Sequence, residues 1–90
     1  MMEGYRVVVK KKVQRGLKKL PKNILDKFFI LAEQLKEKGP VAKNWQNYSE
    51  LGKGKHHCHL TYHWVACWRC KKETIIIEVY YVGSRENAPY

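Results

Sequence analysis

Acidic residues are scarce in this chain. Eight aspartates and glutamates stand against eighteen lysines and arginines, a formal net charge of +10 over 90 residues. That excess goes beyond what solubility requires and points to a polyanionic partner: nucleic acid, an acidic protein or a membrane surface. Long apolar runs are missing too. No stretch approaches the roughly 18 residues of a membrane span, and between Met1 and Lys12 only Val7–Val9 forms a hydrophobic block, too short for a signal peptide. The expectation is a cytoplasmic protein with no membrane partner. Cysteines number only three, an odd count that builds no secreted disulfide framework and agrees with a reducing compartment. Cys67-Trp68-Arg69-Cys70 has no second Cys-X-X-Cys to complete a zinc site, and a separation of three along a strand turns its sulfurs to opposite faces. Neither a metal nor a cofactor is expected.

What the chain does have is crowded into Lys55–Tyr90, which holds all four histidines, all three cysteines and two of the three tryptophans. Within it His56–Thr61, Trp64–Cys70 and Thr74–Val82 are β-branched or aromatic runs separated by Tyr62-His63 and Lys71–Glu73, the pattern of an antiparallel meander. Alternation puts His57, His59 and Thr61 on one face and His56, Cys58 and Leu60 on the other. If Tyr62-His63 is a two-residue hairpin turn, Thr61 pairs with Trp64, His59 with Ala66 and His57 with Trp68, while Leu60 meets Val65 and Cys58 meets Cys67. The first set, rich in imidazole and indole, suits a cleft. The second suits a face covered by helices. The last run, apolar on both sides except at Glu78, belongs in the interior of the sheet.

Ahead of the meander, Gly4–Val9 predicts a first strand. Lys10–Leu20 predicts a helix with Val13, Leu17 and Leu20 on one side, weakened by Gly16 and stopped by Pro21. Lys10, Lys11, Lys12, Arg15, Lys18, Lys19 and Lys22 form a ridge of one sign without an acid among them, better suited to RNA or an acidic protein than to a merely solvated face. Asn23 is the expected cap of a second helix that runs to about Lys38 and buries Leu25, Phe28, Phe29, Ala32 and Leu35. Val41–Gly54 is a connector in which Tyr48–Leu51 adds a short strand. The sum is one domain over residues 1–90, of α+β class. It has an N-terminal strand, a two-helix hairpin and a three- to four-stranded antiparallel meander, with the helices packed on one face.

The order of these pieces resembles the RelE/ParE superfamily of toxins from bacterial toxin–antitoxin pairs: a basic helix ending in Leu20-Pro21, a longer helix, a Leu51-Gly52 turn, a meander, and Val82-Gly83-Ser84-Arg85-Glu86 followed by Tyr90. Cys58-His59-Leu60-Thr61-Tyr62-His63-Trp64 is similar to the Cys-His-Ile-Lys-Pro-Asp-Trp stretch of the YafQ branch. That likeness places His59 on the branch's catalytic histidine and Trp64 on its tryptophan, with His63 where the branch has an acid. The Gly83–Tyr90 tail is closer to the RelE branch, whose arginine and tyrosine there serve the phosphate and the reaction. The resemblance implies a ribosome-dependent, metal-independent mRNA endonuclease that inhibits translation. Its implied partners are a cognate antitoxin, the ribosome and mRNA, and operator DNA only through the antitoxin complex. A ParE-like toxin that binds DNA gyrase and an inactive RNA-binding homologue are the alternatives.

RNA cleavage by the 2′-hydroxyl needs a base, an acid and cations for the phosphorane. Histidine suits proton transfer near neutrality, which makes His59 the proton-transfer candidate and Arg85 the phosphate stabiliser, with Lys53 and Lys55 as supporting charges. Tyr90 is a second proton-transfer or stacking group, and Trp64 a stacking group. The base is His57, His63 or Tyr90.

Overall fold

A computed structural model describes residues 4–90; the expected domain also takes in residues 1–3, which lie outside the described residues. The elements in chain order are β1 (Arg6–Val9), α1 (Lys11–Leu17), α2 (Lys22–Lys38), β2 (Gln46–Gly52), β3 (Lys55–His59), β4 (Trp64–Cys70) and β5 (Ile76–Ser84), followed by a 3₁₀ turn at Arg85–Asn87. The strands form one sheet in the order β1-β5-β4-β3-β2. β1 runs parallel to β5 and all other pairs are antiparallel. β5 thus lies between two neighbours, as its apolar sequence requires, with Ile77 and Val79 buried.

Both helices lie on one face of the sheet, and their bounds differ from those read in the sequence. α1 stops at Leu17, and the chain tightens through Lys19 N to Gly16 O and Leu20 N to Leu17 O bonds before Pro21. Pro21, not Asn23, is the N-cap of α2: the Pro21 carbonyl accepts from the amides of Ile24 and Leu25. Asn23 sits in the first turn without capping anything. The buried stripe of α2 is Ile24, Phe28, Leu31 and Leu35, whereas Phe29 is 52% and Ile30 61% exposed. Ile24, Leu25, Phe28, Phe29, Ile30 and Leu31 wrap so much of the helix that the apolar pattern admits two adjacent stripes; contact with the sheet selects the one spaced i, i+4, i+7, i+11. Gly39 ends the helix at φ 97, and the Tyr5 ring lies where its Cβ would stand, so glycine is needed there both for the backbone and for the space.

The meander also departs from its simplest reading. Leu60–His63 forms a longer connection, closed by Leu60 N and Thr61 N donating to Trp64 O. Neither Tyr62 nor His63 takes the positive φ that a two-residue turn demands. The pairing therefore slips by one residue: His59 faces Val65, Cys58 faces Ala66, His57 faces Cys67 and His56 faces Trp68. Parity within each strand is unchanged, but the partners swap sides. Ala66 and Trp68 lie with Cys58 and Leu60 in the hydrophobic core beneath the helices, and Trp64 packs against it. Trp68 is fully buried and donates its indole N–H to Pro40 O at 2.9 Å. His56 joins it there, stacked on the Trp68 ring at 5.9 Å and bonded through Nδ1 to the Tyr48 hydroxyl at 2.7 Å.

Candidate functional site

The helix-free face presents the odd-numbered residues of β3. His57 and His59 stand side by side there, ring centroids 6.1 Å apart. A β-bulge between Gln46 and Ser49, with Asn47 at φ 53, brings Ser49 opposite His57, where its hydroxyl meets His57 Nδ1 at 3.0 Å. From the other end of the chain, the tail leaves β5, makes its 3₁₀ turn and extends from Ala88. This return lays the Tyr90 ring against His57 at a centroid distance of 4.3 Å. His57 and His59 are consequently only 8% and 7% exposed although no helix covers them. His59 Nδ1 is buried without a hydrogen-bond partner, a costly state for a polar atom unless a bound group satisfies it.

Electrostatics follow from this burial. His57 is held below the usual imidazole range, first by burial and then by the neighbouring His59, with hydrogen bonding to Ser49 working the other way. Tyr90 is pushed above the usual phenol range, chiefly by burial, with Arg85 pulling it down. Near neutral pH His57 is a free base and Tyr90 carries its proton. Burial pushes the Cys58 and Cys67 thiols up to about 12, so neither is a nucleophile. Arg85 is exposed, its guanidinium lying over the Tyr62 ring at 4.6 Å while its amide donates to His63 O at 2.8 Å. The loop after β3 thereby anchors the start of the tail.

The fold distributes the residues singled out from the sequence unevenly. His57, His59 and Tyr90 converge, while the Arg85 guanidinium lies over the Tyr62 ring. His63 is exposed on the Leu60–His63 loop, edge-on to Tyr62. Trp64 packs against the core, not beside the histidines, because of the register slip. Lys53 is exposed at the β2–β3 turn. Lys10, Lys12 and Lys55 line one groove of about 580 Å³ with Arg69, Tyr80 and Tyr81. Lys11, Arg15, Lys18 and Lys19 are exposed outside that lining. Sequence reasoning missed Ser49 and Tyr62, whose roles depend on a bulge and a loop; a correct β2–β3 register would have found Ser49. Among the described residues no three His, Cys, Asp or Glu side chains gather closely enough to hold a metal ion, and no helix is long and apolar enough to cross a membrane.

A strand, two helices and a four-stranded antiparallel meander, with the first strand parallel to the last, make up the RelE-like α+β fold. Solved structures carry the comparison. The archaeal RelE of the RelE–RelB complex from Pyrococcus horikoshii OT3 superposes with a TM-score of 0.75 at 18% identity, over 94% of this chain and 99% of that one. A double mutant of E. coli RelE in the free state gives 0.73 at 14% identity, over 94% and 87%. A metal-bound toxin from Helicobacter pylori gives 0.71 at 23% identity, over 91% and 96%. No protein-family model and no curated protein sequence matches the chain.

Proposed function

We propose that this protein is the toxin of a type II toxin–antitoxin pair and that it cuts mRNA on the ribosome through attack of the 2′-hydroxyl on the adjacent phosphate. The observation that carries the reading is the His57–His59 pair on the helix-free face, closed over by Tyr90. The likeness to RelE structures and the charge of +10 support it. His57, neutral near pH 7, takes the 2′-hydroxyl proton as the O2′–P bond forms. Tyr90, protonated, supplies a proton to the departing 5′-oxygen as the P–O5′ bond breaks. Arg85 offers a two-pronged grip on the phosphorane oxygens. His59 flanks His57 and helps to keep it uncharged. The products are a 2′,3′-cyclic phosphate and a 5′-hydroxyl. Because Tyr90 rests on His57, RNA must swing the tail aside to reach the base. A ribosome that holds the message in line for attack supplies much of the remaining advantage.

Mapping transcript 5′ ends after brief induction tests the proposal. Cuts inside translated codons should fall by about 10²–10⁴ in His57→Ala and by about 10²–10³ in Arg85→Ala. Arrested replication with intact messages would instead indicate a toxin acting on DNA gyrase.

A further inference from the structure

The groove beside α1 has an origin in the sheet. β1 pairs only with Ile76–Val79 of β5, and at Lys10 the chain turns away into α1, so Tyr80–Ser84 runs on past the end of β1. At that point β5 bulges: Cys67 faces Tyr81 but Trp68 faces Val79, and Tyr80 is the extra residue between them. The bulge sets Tyr80 and Tyr81 together in the groove wall, facing Lys10 and Lys12 across from α1. Lys55 Nζ stands 6.0 Å from the Tyr80 ring centre. Tyr81 is occupied, its hydroxyl bonded to Ser84 O at 2.7 Å and its ring folded over Gly83. Tyr80 has no such tie, although it is half-buried and its ring borders the groove. Lys55 lies two residues from His57 on the same side of β3, about 7 Å along the strand.

We infer that this groove is a nucleotide subsite for single-stranded RNA, in which a base stacks on Tyr80 while Lys10, Lys12 and Lys55 hold the flanking phosphates. It rests on the reading of the protein as RNA-directed and sharpens it: one nucleotide beside the scissile phosphate is held through its planar face. Three lysines and a tyrosine ring lining one groove, with Lys55 next to the ring, match a phosphate–base–phosphate repeat, in which charge and π-surface alternate. An acidic peptide would satisfy the lysines but leave the ring without a planar partner. Arg69 adds little free charge, since Glu78 accepts from it at 3.0 Å.

The test is binding of a short 2′-O-methyl oligoribonucleotide, which the 2′-hydroxyl reaction cannot cut, carrying one 2-aminopurine whose fluorescence is quenched by stacking. The intact protein should bind and quench it; Tyr80→Leu should bind about tenfold more weakly and lose the quenching, and Tyr80→Trp should retain both. Photo-cross-linking of a 5-iodouridine oligonucleotide to the unaltered protein provides a second measurement that does not depend on a variant folding. A cross-link at Tyr80 supports the subsite, and cross-links confined to other regions overturn it. Unchanged affinity and quenching in a folded Tyr80→Leu overturn it as well, as does a polyglutamate peptide that binds as tightly as the RNA and weakens equally in Tyr80→Leu. A protein that cuts messages but is indifferent at Tyr80 loses the subsite and keeps the nuclease reading. Tyr80-dependent quenching without any transcript cleavage does the reverse.

Discussion

The three histidines of β3 meet different fates because adjacent residues of a strand look in opposite directions. His56 goes under the helices, where burial lowers its affinity for a proton, and His57 goes to the other face with a shift in the same direction. A histidine with a folded-state pKa below the unfolded value of about 6.5 favours the folded state fully above that value. As pH falls below it the unfolded chain takes up protons first, and stability declines until the folded-state pKa is passed. Urea midpoints should therefore be level above neutrality and fall through the mildly acidic range. Replacing His56 and Tyr48 together by Phe should flatten part of that decline while keeping the stack on Trp68. His56→Phe alone takes the partner from the partly buried Tyr48 hydroxyl and should cost about 1 kcal/mol.

At the scale of elements, α2 offers a direct check on which stripe holds the fold. Leu31→Ala should cost about 2–5 kcal/mol in equilibrium unfolding, while Phe29→Ala, on the exposed side, should stay within about 1 kcal/mol. The sequence pointed to Phe29 because its local apolar pattern is broader than any one contact face. The order of strands and helices was legible, since Pro21, Gly39-Pro40 and Gly52–Gly54 punctuate it and the periodicity changes from helical to alternating. Parity along β3 was legible for the same reason, and with it the pairing of His57 with His59 on the helix-free face. The register between β3 and β4 was not. It depends on how Leu60–His63 closes, and a loop without glycine or asparagine carries no signature of its length. That single slip decided where Trp64 and Trp68 went. The return of Tyr90 onto His57, a contact between β3 and the segment that follows β5, had no local signal either.

For the whole molecule, charge is the feature with the widest reach. If the basic side of α1 meets RNA through Lys10 and Lys12, affinity must weaken steeply as salt is added, by counterion release. Changing both to Gln should lessen the log–log salt slope for single-stranded RNA by roughly 1.4, at about 0.7 per phosphate contact, whereas Phe29→Ala should leave the slope alone. One other global property follows from the parallel pairing of β1 with β5. β1 has no partner until β5 docks, and until Ile76–Ser84 is in place β4 keeps a bare flank and the tail cannot fold back. The cleft closed by Tyr90 is thus among the last features of the fold to assemble.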